Sequence, residues 1–158
     1  MAITLTINGH ERALEAPANA TLLETLREHG SFEVKSGCEK GDCGACAVLV
    51  DGVALDSCLT LSWTVAGRAI TTVAGLSEPG TKHPLIESFE TAGAVQCGYC
   101  TPGLILAAQS LLAATPDPSD QEIREGLSGN LCRCTGYTKV FDAVRGAAKT
   151  LREQGNTA

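Results

Sequence analysis

The chain has 158 residues, 44% hydrophobic and 19% charged but only 4% aromatic. This is a globular composition, one domain or two small ones, with an aliphatic interior rich in Ala and Gly. Its formal charge of −6 argues against a nucleic-acid partner, which needs clustered cations. The longest apolar candidate, Gly103–Ala114, is interrupted by Gln109 and Ser110 and falls short of the ~18 residues of a membrane span, which excludes membrane insertion.

Residues 1–120 hold six basic and fourteen acidic side chains, residues 121–158 six and four, so the two ends are expected to offer different surfaces to partners. The opening Met1–Asn8 has neither a basic n-region nor a twin-Arg pair, which predicts a cytoplasmic chain. Thiols stay reduced there, and eight cysteines then read as metal ligands before disulfides.

Ile3, Leu5 and Ile7 alternate with Thr4 and Thr6 in a half-buried strand, Asn8-Gly9 supplies a hairpin turn, and His10 to Ala16 returns. Thr21 caps a helix with Glu24 three residues on. Leu22, Leu23 and Leu26 form its apolar stripe, and Gly30 ends it. The Gly-punctuated loop Gly37 to Cys46 leads into Ala47 to Val50, an Asp51-Gly52 turn and Val53 to Cys58 as a second hairpin; Ala69 to Val73 is a fifth strand. Gly75 to Pro84 reads as a linker, after which the period changes from two to 3.6. Four helices follow, Leu85–Ala94, Pro102–Ala114, Ser119–Leu127 and Tyr137–Leu151, with Pro102 in a first turn, Ser119 capping with Glu122, and a frayed tail from Glu153. Phe32, Trp63, Phe89 and Phe141 are assigned to the core. The fold class is therefore α+β: residues 1–76 form a small sheet around one helix, and residues 77–158 an all-α unit of four helices.

Cys38, Cys43 and Cys46, spaced by four and then two residues, with Cys58 on a nearby strand, show the plant-type [2Fe–2S] spacing. Four thiolates on a cluster leave net negative charge in a partly buried site, which needs backbone N–H groups aimed at the sulfurs. Gly37, Gly41 and Gly44 let the loop curl to supply them. A structural zinc site fits less well, since only Cys43 and Cys46 form a two-residue knuckle. The second set, Cys97 with Cys100 and Cys132 with Cys134, lies in two loops that each precede a helix. The helix N-termini are expected to stabilise the Cys100 and Cys134 thiolates. Spacing alone leaves a cluster and a zinc ion equally open here.

Gly37-Cys-x-x-Gly-x-Cys-Gly-Ala-Cys46, Gln96-Cys-Gly-Tyr-Cys-Thr-Pro-Gly103 and Gly129-Asn-Leu-Cys-Arg-Cys-Thr-Gly-Tyr137 together resemble the iron–sulfur small subunit of the xanthine dehydrogenase family of molybdenum hydroxylases, over about the whole chain. The resemblance implies a β-grasp, plant-type ferredoxin-like domain followed by an all-α four-helix domain, with one [2Fe–2S] cluster in each. It implies a molybdopterin-binding large subunit and usually an FAD-binding medium subunit as partners, the helical domain's cluster nearer molybdenum and the other nearer flavin. It also implies that Cys134 hydrogen-bonds the pterin amino group and that Gln96 faces the pterin. Two departures stand out, Glu39 in place of a common Gly and Ala47 in place of Thr or Ser; either can shift the first cluster's potential, through an added carboxylate or lost hydrogen bonding.

No Ser–His–Asp set, phosphate loop or G-x-G-x-x-G pattern occurs, so no residue is assigned catalysis. His10, His29 and His83 receive no role, and Asp42 and Glu39 read as a solvated rim. The expected function is electron transfer between the molybdenum centre and a flavin or other acceptor, with a purine or other N-heteroaromatic as substrate and aldehydes or carbon monoxide as competitors. A free-standing two-cluster ferredoxin and a zinc-stabilised binding module are the alternatives.

Overall fold

The computed structural model describes residues 2–155. Its first half is a five-stranded mixed sheet of order β2-β1-β5-β3-β4, built from β1 (Ala2–Ile7), β2 (His10–Glu15), β3 (Ala47–Val50), β4 (Val53–Asp56) and β5 (Ala69–Thr71). The two hairpins are antiparallel, and β5 joins them by pairing parallel to β1 and antiparallel to β3. Alternation in β1 buries Ile3, Leu5 and Ile7 against α1 (Leu22–Glu28), whose Leu22, Leu23 and Leu26 complete this core. The expected capping box forms, with the Glu24 carboxylate accepting from the Thr21 amide at 2.8 Å, a device whose loss costs about 1 kcal/mol.

The second half has its own core, formed by α2 (Pro84–Thr91), α3 (Thr101–Ala114), α4 (Asp120–Gly126) and α5 (Thr138–Glu153). Leu85, Phe89, Leu104, Ile123, Leu127 and Val140 are fully or almost fully buried there. α3 also lies against β3 and β4, and Ser110 Oγ accepts from the Ala54 amide at 3.1 Å. Among the described residues no helix is long and apolar enough to cross a membrane.

Several expectations need correction. Phe32 is 62% exposed because it lies in the turn after α1, where Arg27 covers its ring at 5.6 Å. Trp63 is only partly buried against the first core, its indole N–H donating to Pro17 O at 3.2 Å, and Phe141 is likewise partly buried. β5 stops at Thr71, and Val73–Gly75 turns into a 3₁₀ segment whose Val73 packs on the helical core. β4 ends at Asp56, so Ser57 and Cys58 leave the ladder. α5 continues through Glu153; of the tail expected to fray, positions 156–158 lie outside the described residues.

His83 caps α2: its Nδ1 accepts from the Leu85 amide at 3.2 Å. Burial holds the ring below the ordinary histidine range, and a protonated Nδ1 cannot accept. With the folded value below the unfolded one of about 6.5, this contribution is complete above that pH and is lost as pH falls toward the folded value. His83→Asn, which keeps a capping acceptor without a titrating ring, is expected to flatten the fall in stability between pH 7 and 5, read by denaturant melts of variant and parent at each pH.

Candidate metal centres

The thiols approach in pairs. All eight cysteines are free; in the loop between α1 and β3 the Cys38 and Cys43 thiols are within hydrogen-bonding reach of each other, as are Cys46, just before β3, and Cys58. In the helical half, Cys134 Sγ lies 3.6 Å from Cys97 Sγ, and the Cys100 and Cys132 thiols are within hydrogen-bonding reach. Among the described residues no three Cys, His, Asp or Glu side chains gather as a single ion requires. Four thiols in each half are the donor set that a [2Fe–2S] cluster takes.

Backbone amides converge on these sulfurs. The Asp42 amide donates to Cys38 Sγ at 3.2 Å, the Ala45 amide to Cys43 and the Cys58 amide to Cys46. In the second set the Thr135 amide and hydroxyl donate to Cys132 Sγ at 3.4 and 3.1 Å. A Cβ on Gly37 would stand 2.6 Å from Cys43 Sγ, so the backbone approaches the sulfur too closely for any side chain. Donor set, pairing and amide cradle all fit an anionic [2Fe–2S] group.

The amides also decide which thiols ionise. Donation from the Lys40 amide, joined by those of Asp42 and Cys43, brings Cys38 down to about 7. Burial opposes the Cys132 thiolate, yet the Thr135 hydroxyl and amide outweigh it and Cys132 also falls to about 7. Burial pushes Cys46 up to about 11 and Cys100 up to about 12. Cys100 is the N-cap of α3 and makes no capping bond, so desolvation dominates there, while Cys134 is raised by its bond to Cys97.

The two centres adjoin. Leu131, one residue before Cys132, donates its amide to Cys43 O at 2.9 Å; Asn130 Nδ2 donates to Gly44 O at 3.0 Å, and the Tyr99 hydroxyl donates to Ser36 O at 2.5 Å. This closeness needs glycine on both sides: a Cβ on Gly103 would meet Gly44 O at 2.3 Å, and Gly44 itself has φ +66°. Tyr137, the N-cap of α5, accepts from the Cys132 amide at 2.7 Å and donates to Asn130 O at 3.0 Å. Gln96 Nε2 donates to Cys134 O at 3.1 Å, which brings these two predicted residues together.

Asp42 and Glu39 form an exposed rim, Asp42 near Lys40 Nζ at 3.5 Å and Glu39 accepting from Ser36 Oγ at 2.5 Å. Sequence reasoning missed Tyr137, Asn130 and Asp56. The Asp56 carboxylate lies 3.7 Å from Cys46 Sγ, and the signal was available: Ala47, next to Cys46, pairs with Asp56 across the β3–β4 hairpin.

Residues 5–69 match the family described as "2Fe-2S iron-sulfur cluster binding domain", and residues 72–145 the one described as "[2Fe-2S] binding domain". The fold and the paired thiols thus define a two-centre [2Fe–2S] protein. The chain is 47% identical over 148 residues to the nicotinate dehydrogenase small FeS subunit of Eubacterium barkeri, covering 93% of this chain and 94% of that one. It is also 47% identical over 150 residues to the xanthine dehydrogenase iron-sulfur-binding subunit of Escherichia coli O157:H7, covering 94% of each. A chain in the crystal structure of quinoline 2-oxidoreductase from Pseudomonas putida 86 superposes with TM-score 0.93 at 44% identity, covering 99% of this chain and 98% of that one. The chain belongs to the iron–sulfur small subunits of the xanthine dehydrogenase family of molybdenum hydroxylases.

Tyr137→Phe removes the hydroxyl shared by the Cys132 amide and Asn130 O. Unsatisfied buried groups cost about 1–3 kcal/mol, so cluster loss from the helical half is expected at lower urea, with the other cluster retained, as followed by electron paramagnetic resonance.

Proposed function

We propose that this chain relays electrons between a molybdopterin-binding large subunit at its helical end and an FAD-binding subunit or other acceptor at its sheet end. Each [2Fe–2S] cluster, when bound, takes up and returns one electron. Cys38, Cys43, Cys46 and Cys58 hold the first cluster, and Cys97, Cys100, Cys132 and Cys134 the second. The observation that carries the reading is the short connection between them: from Cys43 through its carbonyl and one hydrogen bond to Leu131, whose neighbour is Cys132. Amide donors to the sulfurs stabilise the added negative charge at either end.

Surface properties support a partner at each end. Cys97 and Cys134 are exposed, with Val95, Tyr99 and Leu131 exposed nearby in the same loops. The loop segments around them, residues 94–101 and 128–139, carry Arg133 and Lys139 and no acidic residue. At the sheet end Cys58 lines a cavity of about 330 Å³ together with Arg27 and Glu39. Phe32, Leu59 and Leu61 are exposed in that region of the chain. Apolar surface of this kind marks interaction sites.

Gln96 and Cys134 are the residues that face the pterin: the thiolate sulfur accepts from its amino group, and the Gln96 amide, braced on Cys134 O, adds a second polar contact. The relatives' names include nicotinate, xanthine, nicotine and quinoline alongside aldehyde. Together they support an N-heteroaromatic substrate, oxidised on the large subunit, with an aldehyde as the competing class.

The complex purified from its source is expected to contain about four iron and four acid-labile sulfide per copy of this chain, two of each per cluster, with two distinct paramagnets on full reduction. Zinc, half the iron, or a chain isolated without a molybdopterin subunit contradicts the reading. Gln96→Leu should keep both signals and slow reduction of the helical-end cluster by substrate roughly tenfold, the effect of one lost polar contact of about 1.4 kcal/mol, read by rapid freezing. Unchanged reduction removes Gln96 from the contact.

A further inference from the structure

Asp56 ends β4 opposite Ala47 and points its carboxylate at the sulfur of Cys46, Oδ1 to Sγ 3.7 Å. Its position is fixed on both sides. The ladder holds it to β3, and its own carbonyl accepts from the Leu59 amide and the Thr60 hydroxyl, each at 3.0 Å, in the turn that carries Cys58. The side chain lines the seam between the two halves, a cavity of about 180 Å³ shared with Gly44, Ala107 and Asn130. Among the described residues no cation pairs with this carboxylate, and the Cys46 thiol is its hydrogen-bonding contact. A sulfur bound to iron carries no proton to donate. Burial favours the neutral acid at Asp56; in its ionised form the carboxylate faces that sulfur as a like charge in a half-buried site, where a unit charge is screened far less than in water.

We infer that Asp56 is a potential-setting residue: its carboxylate disfavours the electron on the sheet-end cluster and so biases the electron distribution toward the helical end. The inference rests on the ligand assignment under Proposed function. It also separates two candidate carboxylates. Glu39 stands at the position expected to carry the added charge, but its side chain turns to Ser36 Oγ at the exposed rim; Asp56 is the one beside a ligand sulfur. Because the effect is electrostatic and local, the helical-end cluster, whose four cysteines lie on other loops, serves as an internal reference.

The test is an anaerobic redox titration of the purified complex, following both clusters by electron paramagnetic resonance, for the parent, Asp56→Asn and Asp56→Ala. Asp56→Asn keeps the shape, removes the charge and offers an N–H to the sulfur. It is expected to raise the sheet-end cluster's share of the electron about tenfold relative to the other cluster, about 59 mV for a one-electron couple. Asp56→Ala removes the carboxyl group without supplying a donor and should move the same cluster in the same direction by less. Unchanged midpoints in both variants, or equal shifts of both clusters, overturn the role of Asp56. A parent complex that lacks the sheet-end paramagnet overturns the ligand assignment instead, so the two failures are distinct.

Discussion

Two backbone carbonyls, at Cys43 and Gly44, accept from the Leu131 amide and the Asn130 side chain, and the arrangement of both centres depends on that seam. A carbonyl in the first centre's loop is bonded to the residue before a cysteine of the second. Any movement of one half against the other must therefore break buried hydrogen bonds and disturb a thiol loop. The close approach is sterically demanding, since Gly103 stands where a Cβ would strike Gly44 O. Two small cores, each too modest to be very stable alone, gain a shared polar interface.

Electrostatics then divides the labour along the molecule. Both centres must accommodate anionic groups, and both use backbone donors, which cost no side-chain entropy and cannot titrate, joined in the second by the Thr135 hydroxyl. The half-buried and buried thiols differ sharply, Cys38 and Cys132 near 7 against Cys46 and Cys100 near 11 and 12. The cause is how many amides reach each sulfur and how deeply it is buried. Cys100, the N-cap of α3, is raised first by burial and then by its neighbours Cys132 and Cys97.

Much of this was legible in the chain. Period-two alternation in Ile3–Ile7, the Thr21–Glu24 and Ser119–Glu122 boxes and the Asn8-Gly9 and Asp51-Gly52 turns are local codes, set by residues within a few positions of one another, and all appear as read. Phe32 failed because hydrophobicity states a preference for burial, not which side of a turn a ring will take. The extent of β5 failed because a strand ends where its partners end: it pairs through only Ala69 and Ile70 with β1, and through Ile70 and Thr71 with β3.

What the sequence by itself determined is the inventory: eight thiols in two sets, their loops, and the change from strands to helices at the Gly75–Pro84 stretch, all properties of near neighbours. What only the tertiary structure decided is who meets whom. Asn130 and Gly44 are 86 positions apart, Tyr99 and Ser36 63, and no periodicity encodes such meetings. They follow from packing α3 on β3 and β4, which brings the two loops together. Contacts of that separation are chosen by the whole fold's steric and hydrogen-bonding balance, and the residues that make them carry no mark until the chain is folded.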